Sequence, residues 1–145
     1  MKLKLNDDEM SDNFFEGTRI LGIASTLKNY QLCFHIEKNL QIDFRTSADL
    51  QIPLEKNKRS YSFTVYEFIQ PAIATEHFLY SNKNDGESFL PELQHLDFIW
   101  LLKGSFFEND EEFTKLQRQL RDITGIQLVT EVSHDKIKSR DNLQL

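Results

Sequence analysis

Three side chains in one short stretch are where chemistry would be sought first. Glu92, His95 and Asp97 fall within Leu90-Pro91-Glu92-Leu93-Gln94-His95-Leu96-Asp97-Phe98. Two carboxylates beside an imidazole could relay protons or hold a cation or a partner. The same residues also have a structural use. Glu92 suits the positive end of a turn opened by Pro91, and Asp97 can accept bonds from backbone N–H groups where a strand begins. The stretch contains no Ser or Cys, so a nucleophile for His95 to activate is missing. Glu92, Asp97 and His95 are therefore candidate partner-binding residues, with a small enzyme centred on the three as an alternative.

Elsewhere the candidates are weaker. His35, His77, His95 and His134 lack the HxH or HxxxH spacing that puts two imidazoles on one face. Neither GxGxxG nor GxxxxGK occurs, and the single Cys33 excludes an internal disulfide and a cysteine-based zinc site. Cys33 sits in an apolar helical pattern and reads as a small buried hydrophobe. The expectation is no catalytic residue, no cofactor and no metal. Lys56, Lys58 and Arg59 form one local basic cluster that could contact an anionic partner, or could simply be solvated.

The stretch that carries Glu92 and Asp97 leads into Phe98-Ile99-Trp100-Leu101-Leu102, five large apolar residues closed by Lys103-Gly104. Such a run marks a central strand buried on both faces. Leu90, Pro91, Leu96, Phe98 and Trp100 are its expected structural residues. The pattern Leu90-Pro91-Glu92, three free positions, then Leu96-Asp97-Phe98 resembles the motif of the IPExxxVDY family of small bacterial proteins. Pro91, Glu92 and Asp97 match in type and spacing. The Leu3-Lys4-Leu5 start and the Ile20-Leu21-Gly22-Ile23 run are also similar to that family, which has no assigned activity to carry over. Phe98 departs from the motif's tyrosine, so a mechanism resting on a phenol is lost here while a packing role survives.

Around this strand the chain reads in order. Residues 2–5 suit a short edge strand, and 6–16 an acidic connection in which Phe14-Phe15 anchor a helical turn. A strand over 19–25 precedes a helix over 27–40, capped by Ser25 or Thr26, with Tyr30, Cys33, Phe34 and Ile36 to bury. Residues 41–45 alternate as a strand, 46–60 read as a loop around Pro53, and 61–68 as a strand whose change of phase at Val65-Tyr66 suggests a bulge. Another strand spans 75–81, followed by a turn-rich 82–86. Asn109 or Asp110 caps a helix with Phe113, Leu116, Leu120 and Ile123 at helical spacing. Gly125 stops it, and a strand over 126–132 closes the domain.

Two strand–helix–strand units thus bracket a β-hairpin. The expected fold class is α/β (α+β): a single-domain mixed β-sheet over 1–132 with two helices on one face, a ferredoxin-like relative, and a flexible polar tail over 133–145. The other sheet face is expected to stay partly open.

Composition limits the function. At 145 residues with 12 Phe, 4 Tyr and 1 Trp, the chain can build one core. A net charge of −6 disfavours a nucleic-acid surface. The first eight residues lack a signal peptide's apolar core, and no apolar run approaches the ~20 residues of a membrane span. A cytoplasmic protein whose partner is another protein is expected. An RNA- or ribosome-associated factor, using Lys56, Lys58, Arg59, Lys136, Lys138 and Arg140, is the alternative.

Overall fold

The computed structural model describes residues 17–56, 59–84, 87–133 and 137, with side chains described outside 46–62 and 84–87. Its elements in chain order are β1 (Thr18–Ser25), α1 (Asn29–Leu40), β2 (Arg45–Lys56), β3 (Arg59–Gln70), β4 (Thr75–Ser81), β5 (Lys83–Asn84), β6 (Glu87–Ser88), β7 (Phe98–Lys103), α2 (Asp110–Arg121) and β8 (Ile126–Val132). Single 3-10 turns at Pro71–Ile73, Pro91–Leu93 and Phe106–Glu108 connect them.

Six strands form one sheet in the order β2-β3-β4-β7-β1-β8, and β5 pairs with β6 in a separate two-residue ladder. The α+β architecture with two helices stands as expected. The pairing differs from the expected mixed sheet, because every hydrogen-bonded pair is antiparallel. The reason is topological. β7 and β8 run in the same direction, but β1 lies between them, and β1 and β2 are separated by β7, β4 and β3. Both crossover units are split, the arrangement of ferredoxin-like folds, and β2 and β3 extend that sheet at one edge.

Central β7 is buried from Phe98 to Leu102, alternating between two cores. Phe98, Trp100 and Leu102 face the helices, with Leu21 and Ile23 of β1, Leu32 and Ile36 of α1, and Phe113, Leu116 and Leu120 of α2. Ile99 and Leu101 face the other way, toward Phe78, Tyr80, Phe63 and Val65. That second face is not open. Phe89, Leu90, Leu93 and Leu96 cover it, and Ile137 is buried with them. Each such side chain contributes roughly 1.5–3 kcal/mol by leaving water. Residues 1–16, with Phe14-Phe15, and the remainder of the tail beyond Ser133 lie outside the described residues.

Local sequence accounts for most boundaries. Asn109 caps α2, its Oδ1 accepting from the N–H groups of Glu111 at 2.9 Å and Glu112 at 3.2 Å. Gly125, at φ 101°, ends the segment after α2. α1 begins at Asn29, later than expected. Ser25 does not cap it, because its Oγ accepts from Leu27 N–H and donates to the Gly125 carbonyl instead. Lys28 N–H is satisfied by Gln31 Oε1 at 2.9 Å.

Residues 46–56 and 59–60 are strand rather than loop, and 57–58 lie outside the described residues. Pro53 suggested a break, but β2 is an edge strand, where a missing N–H costs no ladder bond. Residues 41–44 are not strand, since Gln41 takes a left-handed conformation at φ 61° to close α1. The change of phase in β3 is not a bulge in its pairing with β4, which runs in regular register. Phe63 and Val65 are buried in the far core, whereas Tyr66 and Phe68 pack toward the helices. The apolar residues switch faces because the cover switches faces. The register shift lies in β2, between Thr46 and Gln51.

Candidate functional site

The stretch 90–98 forms a tight cover over the far face of the sheet. Pro91 opens the 3-10 turn, Leu93 returns its N–H to the Leu90 carbonyl, and Leu90 and Leu96 are wholly buried. Asn82, also wholly buried, holds the turn from inside. Its Nδ2 donates to the carbonyls of Leu93 at 3.0 Å and Leu96 at 2.9 Å, and its Oδ1 accepts from Leu90 N–H at 2.7 Å. Its backbone carbonyl accepts from Phe89 N–H and its N–H donates to the Asp97 carbonyl. One asparagine thus satisfies polar groups of five positions in a segment that could not be buried otherwise.

Asp97 is held by the fold on both oxygens. Oδ2 accepts from Ser25 N–H at 2.8 Å, and Oδ1 lies 3.1 Å from Lys83 Nζ. Glu92 is half-buried at the second position of the turn, and His95 is exposed. The three share one turn, but among the described residues the side-chain bonds of Asp97 run to Ser25 and Lys83 and none to His95. None of the three lines either cleft beside α1. Lys56 and Arg59 face each other as the last ladder pair of the β2–β3 hairpin, and Lys58 lies outside the described residues. Lys136, Lys138 and Arg140 lie outside them too.

Beneath the helices is a buried polar relay. His77 of β4 is fully buried and ringed by Phe44, Phe68, Trp100 and Phe107 at centroid distances of 5.8–6.3 Å. Trp100 Nε1–H donates to His77 Nδ1 at 3.2 Å, so the ring proton sits on Nε2 and donates to Gln70 Oε1 at 3.0 Å. Burial pushes the imidazole pKa down to about 4, so it is neutral near pH 7.

Two clefts flank α1. One, of about 190 Å³, lies between the end of α1, the Pro71–Ile73 turn and α2, with Gln70 among its lining residues. The other is a shallower groove of about 500 Å³ lined by Tyr30, Cys33, Phe34 and Glu37 of α1 with Phe44, Arg45 and Tyr66. Here the expectation for α1 is corrected. Leu32 and Ile36 face the core, while Tyr30 is 65% and Phe34 58% exposed. Apolar residues occupy more of this helix's circumference than one sheet face can cover, and Tyr30 and Phe34, four positions apart, form the surplus stripe. Burial pushes the Cys33 thiol up to about 12, which keeps it protonated.

Asn82, His77 and the outward turn of Tyr30 and Phe34 were not foreseen from sequence. The first two depend on long-range pairing. The third had a visible signal, an apolar arc on α1 wider than one face. No family model matches the chain, and no curated protein matches it. Among the described residues no helix is long and apolar enough to cross a membrane.

Proposed function

We propose that this chain is a non-catalytic cytoplasmic protein-interaction domain, resembling the IPExxxVDY family, that docks an apolar segment of another protein in the groove along α1. The observation that carries the reading is the exposed pair Tyr30 and Phe34 beside Tyr66, Phe44 and Cys33. Aromatic side chains grouped in a groove are costly to leave in water and are the usual anchors of an interface.

The rim selects the partner. Arg45 is held 2.6 Å from Asp43 and is also attracted by Glu37, so two carboxylates against one guanidinium leave the rim of the groove net negative. With a net charge of −6 for the chain, the best-suited occupant presents apolar anchors flanked by Lys or Arg. The motif turn then serves as scaffold, since Asp97 and the backbone of 90–96 are committed to Ser25, Lys83 and Asn82.

Affinity capture from lysate with three forms of the protein tests this. The wild type and a Lys56→Glu/Arg59→Glu variant should retain the same protein at low and high salt. A Tyr30→Ser/Phe34→Ser variant that melts like the wild type should lose it. Retention of RNA that is lost with salt, or with the charge-reversed hairpin, would overturn the reading in favour of an anionic partner.

A further inference from the structure

The smaller cleft, on the other side of α1's end, has the chemistry of a small-molecule site. Apolar side chains, Ile73, Phe106 and Leu116 among them, form part of its walls, and four polar side chains stand at its border: Gln70, Glu112, Lys115 and Gln119. Gln70 is oriented from below. Its amide oxygen accepts from His77 Nε2–H, which directs its NH2 donors away from the histidine, and among the described residues they have no other partner. Glu112 and Lys115, one turn apart on α2, pair with no described residue either. One anion, one cation and two amides around a partly apolar hollow complement a molecule carrying both charges on an apolar body. A volume of about 190 Å³ is below the roughly 300–1,000 Å³ of sites for drug-sized ligands, which restricts the occupant to a small one.

We propose that the cleft formed by Gln70, Glu112, Lys115, Ile73, Phe106 and Leu116 binds a free α-amino acid with a large apolar side chain. The ligand's carboxylate is taken by Lys115 and the Gln70 amide, its ammonium by Glu112, and its side chain by the apolar walls. With so few atoms engaged, the dissociation constant is on the order of 1 mM.

The relay supplies the readout. Trp100 is the chain's one tryptophan and is joined to Gln70 through His77. Titrating the full chain with L-leucine, which does not itself fluoresce, should change Trp100 emission saturably and shift the amide resonances of Gln70 and Leu116. 4-Methylpentanoate, which lacks the ammonium, and isoamylamine, which lacks the carboxylate, should each bind about tenfold more weakly. Glu112→Gln and Lys115→Met, on the helix surface, should weaken leucine binding about five- to tenfold while leaving the melting temperature in place. The proposal is overturned if neither signal saturates below about 50 mM leucine, a concentration far above the expected constant. It is equally overturned if the two analogues, or the two variants, bind as well as the originals.

Discussion

The two faces of the sheet are covered in different ways, and the contrast explains what this sequence displays and what it conceals. On one face, two amphipathic helices lay Leu32, Ile36, Phe113, Leu116 and Leu120 on the strands. On the other, an irregular segment from Phe89 to Asp97 does the same work with Phe89, Leu90, Leu93 and Leu96. A helix satisfies its own backbone, so apolar periodicity is enough to bury it. An irregular segment must have its N–H and C=O groups satisfied from outside, and here Asn82 supplies three side-chain bonds. The helical cover is therefore spread over many replaceable contacts, while the irregular cover depends on one residue.

The largest break in that symmetry is expected at Asn82. Replacing it with Leu strands the carbonyls of Leu93 and Leu96 and the N–H of Leu90 in the far core. Unsatisfied buried groups cost about 1–3 kcal/mol each, so a loss of about 3–5 kcal/mol is expected in urea unfolding. A loss below about 1 kcal/mol would mean that the segment does not depend on its asparagine.

On the helix face the sensitive point is His77, and its lever is pH. An imidazole in the unfolded chain titrates near 6.5, whereas the buried ring is held down to about 4. Between these values the unfolded chain takes up the proton first. This contribution to stability is present above about pH 6.5 and is lost as pH falls toward 4, by about 3 kcal/mol over the window. His77→Gln, which keeps an acceptor for Trp100 but does not titrate, should flatten that decline in denaturant midpoints measured against pH.

Gly22 tests how tightly the irregular cover is seated. A Cβ there would run into Leu96 Cδ1, and Leu96 is wholly buried. Gly22→Ala should cost about 1–3 kcal/mol by pushing the cover off β1, measured by chemical unfolding and by faster amide exchange at Leu90 and Leu93. The smallest effect belongs to the helical cover. Asn109→Ala removes the cap of α2 and should cost about 1 kcal/mol, with exchange quickened at Glu111 and Glu112 and unchanged at Leu90.

The same contrast governs what could be read in advance. The stripe of Phe113, Leu116, Leu120 and Ile123, the Asn109 cap and the limits of β4 and β8 follow from local rules, and all appear in the structure. The β2–β3 hairpin was hidden because Pro53 signals a break unless the strand is known to be an edge, and edge position is a property of the assembled sheet. The far cover was hidden for the same reason. Asn82 has no distinguishing neighbourhood in sequence, and its role appears only once residues 90–96 fold back over it. His77 and Trp100 are 23 residues apart and meet because β4 pairs with β7. Of the candidate site, the residue types at 92, 95 and 97 were legible, but the commitment of Asp97 to Ser25 and Lys83 was not.

The central claim is that the motif turn is scaffold and that the aromatic groove of α1 is the working surface. Site-specific photo-crosslinking in the cells that make the protein tests it most directly, with a photoreactive phenylalanine placed at position 34 or at position 95. Both sites are exposed, so the substituted proteins should fold alike. The account predicts one dominant protein adduct from position 34, absent when Tyr30 is Ser, and none from position 95. An adduct from position 95 alone, or from neither position, would contradict it.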